Sequence, residues 1–185
     1  MGLLDTLLGR TKVAKPTLER LFAISTAQVT LDTELDLKPA GTAAICFKPF
    51  TSQRFRESGQ DVEGMVGLAI NDEGTTMRKS DDSFGYEWLT LSDPQFEDLV
   101  TNIHVAAQSL TDDGFGEQLL CAVFPFGQDV RFIYNFKRGS FYPFVPAGHE
   151  QRDSERELQL QAKLENELPI EKELERWYPL WDAPV

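Results

Sequence analysis

The sequence predicts an α+β domain built around an antiparallel sheet. Three observations carry that expectation. Apolar residues recur at helical spacing in several separate segments, with the clearest face between Pro94 and Leu110. Short β-rich runs follow one another late in the chain with only turn-forming residues between them, which leaves no room for the crossovers a parallel sheet needs. The 185 residues are 41% hydrophobic and include 13 Phe, 4 Tyr and 3 Trp, enough to fill the core of one domain despite a net charge of −12.

Residues 2–9 place Leu3, Leu4, Leu7 and Leu8 on one face of a short amphipathic helix, and Arg10, Lys12 and Lys15 follow in a linker. Residues 1–14 are therefore read as an amphipathic helix and linker that meet membrane, partner or their own domain, 15–148 as the α+β domain, and 149–185 as a kinked C-terminal helix with an aromatic tail packing on the domain or a partner. Pro16 opens a helix that carries Leu18, Leu21 and Phe22. Between Val29 and Leu37 the apolar positions alternate as in a strand, yet Ser25 is a good helix cap, so this segment stays open between the two.

After the turn at Pro39 and Gly41, residues 43–48 read as a buried strand, and Phe55, Val62, Met65, Val66 and Ala69 recur at helical spacing across a weakening Gly59. Residues 75–79 and 84–90 read as two strands joined by a polar turn of Ser and Asp. Asp93 and Pro94 supply an N-cap and a first helical residue for the helix bearing Phe96, Leu99, Val100, Ile103, Ala107 and Leu110, and Gly114 marks its end. Residues 119–126, 130–136 and 141–144 form a strand meander. Leu160, Leu164 and Leu168 then share a helical stripe that Pro169 must break, with 170–178 as its continuation. Trp177, Tyr178 and Trp181 close the chain and call for docking onto the core or onto a partner.

The chemistry of the sequence argues against an enzyme. His104 lies beside an apolar helical position and His149 in a loop, so neither is placed as a general base. The pairs Asp81-Asp82 and Asp112-Asp113 fall at turns, where Asp bonds to nearby backbone, and no Cys or His spacing fits a metal. Cys46 and Cys121 sit singly in apolar runs, as buried reduced thiols do. No catalytic residue, metal or cofactor is expected. A small hydrolase using the Asp pairs is the weakest of the alternatives.

An acidic chain repels phosphates, so nucleic acid is not an expected partner. The acidity is unevenly spread. Residues 57–117 hold 14 acids and 2 bases, whereas residues 1–20 carry four bases against two acids beside the leucine face. With no apolar run long enough for a bilayer and no signal peptide, the expected location is cytoplasmic, with the leucine face available for peripheral contact at the inner side of the membrane.

Four stretches carry a family resemblance: MGLLDTLLGRTK at the start, GFGEQLLCAVF from Gly114, YNFKRGSFYPFVP from Tyr134, and LPIEKELERWYPLW from Leu168. Together they resemble the PspA-associated PspAB family of actinobacteria and archaea. The resemblance implies a non-enzymatic accessory of the phage-shock, or envelope-stress, response that binds PspA or a related membrane-stress component, and it supplies no catalytic residues. The element order also resembles the type III secretion chaperone-like fold, whose sheet is strongly bent. That likeness implies the alternative of a dimeric module holding an extended client segment. The residues expected to meet partner or membrane are Leu3, Leu4, Leu7 and Leu8 of the first helix, Arg138, Tyr142 and Phe144 of the cationic, aromatic hairpin, and Trp177, Tyr178 and Trp181 of the tail.

Overall fold

The computed structural model describes residues 15–49, 62–70 and 74–185. The expected leucine helix at Leu3, Leu4, Leu7 and Leu8, and Phe55 of the second predicted helix, lie outside them. Within them the chain runs through a 3-10 turn (Glu19–Phe22) into α1 (Ala23–Leu35), then β1 (Thr42–Phe47), α2 (Val62–Ala69), β2 (Thr76–Asp81) and β3 (Glu87–Ser92). It continues through α3 (Phe96–Leu110), β4 (Leu119–Phe126), β5 (Val130–Asn135), β6 (Ser140–Phe144) and α4 (Ser154–Leu164). All six strands join one antiparallel sheet in the order β2-β3-β1-β4-β5-β6. The molecule is α+β, as the alternation of periods implies.

The segment left open at 29–37 is helical. Ile24, Ala27 and Leu31 line one buried face of α1, while Val29 points outward at 66% exposure. A strand would have put Val29 and Leu31 on the same face. Asp36 ends the helix in the left-handed conformation (φ 52°), and its N–H and that of Leu37 both return to the Leu31 carbonyl. The start of α3 also differs from expectation. Asp93 precedes the helix by three residues and braces its entry, accepting the Gln95 N–H at 2.7 Å and the Thr75 hydroxyl at 2.6 Å.

Alternation along the strands divides the sheet into two apolar faces. On one, Ala43, Ile45 and Phe47 of β1, Leu89 and Leu91 of β3, Phe124 and Phe126 of β4 and Phe132 and Tyr134 of β5 pack against α1, α2 and α3. The whole predicted face of α3, Phe96, Leu99, Val100, Ile103, Ala107 and Leu110, is buried there. The other face presents Ala44, Cys46, Trp88, Cys121, Val123, Ile133, Tyr142 and Phe144. The C-terminal segment covers this second face.

The expected helical continuation over 170–178 is therefore corrected. After Leu168 the chain runs extended beside β6, forming a parallel bridge between Phe141 and Ile170. The Phe141 N–H donates to the Pro169 carbonyl and the Glu171 N–H to the Phe141 carbonyl, each at 2.8 Å. Only Leu174–Arg176 makes a 3-10 turn. Pro169 lacks the N–H a helix would use, and the open side of β6 offers unpaired backbone groups that the extended chain satisfies.

Candidate functional site

The site lies on the second face of the sheet and begins with the way the tail is fastened there. Glu157, in the first turns of α4 and only 2% exposed, accepts the Val145 N–H at 2.8 Å and holds the Arg152 guanidinium through both carboxylate oxygens, at 2.8 and 3.0 Å. Thus oriented, Arg152 donates to the Trp177 carbonyl at 2.7 Å and lies over the Phe144 ring. The Trp177 indole stacks on Tyr142 at 6.3 Å between centroids, and its N–H bonds the Glu171 carbonyl. Tyr142 donates its hydroxyl proton to the Tyr178 carbonyl at 3.0 Å, and Arg131 reaches the Leu180 carbonyl. Trp181 meets Phe144 edge to face at 5.0 Å. Tyr142 and Arg131 of the sheet and Arg152 just before α4 thus grip tail carbonyls that have no strand partner.

Where the tail spans the sheet it leaves a cavity of about 400 Å³. Cys46, Trp88, Cys121 and Tyr142 line it from the sheet, and Leu180, Trp181 and Ala183 from the tail. Phe84 and Tyr86 from the β2–β3 turn and Tyr178 from the tail also border it, exposed at 71%, 38% and 54%. The turn is set by Asp82, which accepts the N–H groups of Phe84 and Tyr86 and the Trp88 indole N–H, each at 2.9 Å. The Ser83 hydroxyl donates to Asp182, tying the turn to the tail. Asn135 and Lys137 border the cavity at the β5 end.

Hydrogen bonding and burial hold Cys46 and Tyr142 in their protonated forms. Cys46 lies directly across from Cys121 on the neighbouring strand. Its hydrogen bond with that thiol, together with burial, pushes its pKa far above the ordinary cysteine range. Both thiols are free and buried, as their apolar settings predicted. Burial likewise pushes the Tyr142 phenol well up and pulls Arg131 down from its usual value. A thiol so held is a poor nucleophile, since the thiolate is the reactive form. The arrangement is suited to receiving apolar groups.

The other chemical candidates are engaged structurally. His104 packs on Phe22 at 4.8 Å between rings, Asp82 organises its turn, and Asp112 accepts from Gln108 within the helical end. Among the described residues no three His, Cys, Asp or Glu side chains group as metal ligands, and no helix is long and apolar enough to cross a membrane.

The residues expected at a docking surface separate into distinct settings. Tyr142, Phe144 and Trp177 are 3%, 0% and 4% exposed, so these aromatics pack inside the molecule rather than on its surface. The reason is that the tail and hairpin are complementary to each other. Arg138 stays at the surface near Glu171, Trp181 is half-buried, and Tyr178 is exposed. Phe84 and Tyr86 were missed, because an alternating reading from residue 84 made them ordinary strand positions. The available signal was an aromatic pair flanking Gly85 immediately after a polar turn cluster.

No curated protein and no solved structure matches this chain. The family model described as PspA associated protein B matches residues 1–185, the full length. The chain therefore belongs to the PspAB family, PspA associated protein B.

Proposed function

We propose that this chain is a non-enzymatic interaction protein of the phage-shock response that docks PspA on the aromatic rim formed by Phe84, Tyr86 and Tyr178. Family membership supports an accessory role in that system and association with PspA. The observation that carries the docking surface is the exposure of three aromatic side chains around one apolar cavity, since large aromatics left in water beside a hollow are the usual anchors of an interface. Arg138, exposed on the adjoining hairpin, adds a cationic contact at the edge. The leucine face of residues 2–9, flanked by Arg10, Lys12 and Lys15, engages partner or membrane from the cytoplasmic side.

The test is titration of purified PspA with the full chain and with the double variant Phe84→Ser/Tyr178→Ser. Both side chains are exposed, so the variant keeps its fold, and affinity should fall by at least about ten-fold. Equal affinities would remove the rim as the docking surface, and no binding to the unaltered chain would remove PspA as its direct partner. Co-sedimentation with vesicles, comparing the chain with one lacking residues 1–12, addresses the leucine face. Equal pelleting of the two rules it out as an anchor.

A further inference from the structure

The cavity extends well beyond the aromatic rim, and its length and end groups define a ligand. Its lining reaches from Trp88 on β3 across β1 and β4 to Asn135 at the end of β5. Three inter-strand spacings make that span about 14 Å. The intervening walls are thiols, aromatic rings and aliphatic side chains, and the volume of about 400 Å³ lies within the range of small-molecule sites. The two ends differ in charge. Asp82 and Asp182 border the β3 end, and their turn donors already engage them. Lys137 borders the β5 end, and among the described residues it forms no ion pair, whereas neighbouring Arg138 faces Glu171. At about 14 Å the acidic end is too far away to pair with Lys137 directly, so Lys137 is the charged group an anion meets at the β5 end.

From this geometry we infer that the cavity binds a free single-chain anionic amphiphile of the fatty-acid type, with its carboxylate on Lys137 and its aliphatic chain running toward Trp88. An aliphatic chain matches an apolar slot whose end cation forms no ion pair among the described residues. A two-chain lipid is too large for a volume of about 400 Å³, and a peptide would leave backbone groups unpaired against the apolar walls. Phe84, Tyr86 and Tyr178 border the same cavity, but the inference goes beyond PspA docking, since loading the cavity requires no partner protein.

All three tryptophans of the chain lie at this face: Trp88 and Trp181 border the cavity and Trp177 packs beside it, so intrinsic emission reports on loading. The full chain is titrated with monomeric octanoate, decanoate and dodecanoate, and with dodecanol. The inference requires saturable one-to-one binding whose affinity rises about four-fold per added methylene. Dodecanoate should bind about ten-fold more tightly than dodecanol, and Lys137→Glu should erase that difference while leaving dodecanol binding unchanged. Ala183→Phe, which puts a ring into the cavity from the tail without altering the sheet, should weaken both. Absence of saturable binding to the unaltered chain would overturn the site, and so would equal affinity for acid and alcohol. An emission change produced by phosphatidylglycerol vesicles but not by monomeric acids would likewise overturn it, pointing to membrane contact instead.

Discussion

Replacing Glu157 by Ala should destabilise the protein by about 3 kcal/mol and release the tail at the same time. The carboxylate satisfies a buried backbone donor, Val145 N–H, and both faces of its charge are used by Arg152. Breaking a buried ion pair from one side costs about 3–5 kcal/mol, because the remaining charge is left without a partner. Arg152 retains 24% side-chain exposure and recovers some hydration, which selects the low end of that range. For a chain of this length the loss corresponds to a fall in Tm of about 6–12 °C. Glu157→Gln keeps an acceptor for Val145 and should lose about half as much. Arg152 also bonds the Trp177 carbonyl and covers Phe144, so its disorder should reach the tail, and tryptophan emission should shift to the red before global unfolding. Urea and thermal melts followed by far-ultraviolet circular dichroism and by emission measure the two effects separately. A loss below about 1 kcal/mol, or a native emission maximum unchanged in Glu157→Ala, would refute the view that this carboxylate fastens the tail through Arg152.

Gly139 sits at φ +63°, and a Cβ there would lie 2.8 Å from the Thr17 methyl carbon, so Gly139→Ala should cost about 2 kcal/mol in a urea melt; a neutral result would mean that the β5–β6 turn adjusts freely. Asp82→Ala strips the acceptor from two backbone donors and the Trp88 indole and should cost about 2 kcal/mol, with a change in emission that Asp82→Asn produces only in part. Stability should also fall in alkali. The folded state holds Cys46 protonated far above the unfolded thiol value of about 8.5, so the unfolded state binds fewer protons above that pH. Its contribution is complete below pH ~8.5 and then declines by about 1.4 kcal/mol per pH unit, joined above pH ~10 by Tyr134 and Tyr142, whose folded values are also raised. Cys46→Ala should flatten the decline between pH ~8.5 and ~10, and an unchanged slope in that variant would show that another group is responsible.

Much of the sheet was legible because its turns and periods agree. The run at residues 119–126 is a strand over the same residues, and every apolar residue marked on the α3 face is buried. The ambiguity at 29–37 was physical: Leu31 and Leu35 satisfy both a period of two and a spacing of four, and only the packing of Ile24 and Ala27 beside Leu31 decides between them. The second face of the sheet illustrates what local patterns omit. Ala43 to Phe47 is an uninterrupted apolar run, which in a strand means burial on both sides, so the sequence already required a cover over Cys46. It did not say whether that cover was a partner or the chain's own tail, because both choices bury the same tryptophans. The choice rests on long-range polar contacts, Arg152 with the Trp177 carbonyl and Tyr142 with the Tyr178 carbonyl, which no periodicity records. Those contacts also leave the cavity. A tail gripped by its carbonyls rather than paired as a strand need not follow the sheet surface closely, and the hollow lies where the spacing between tail and sheet is set by Tyr142 beneath Tyr178 and by Ser83 against Asp182.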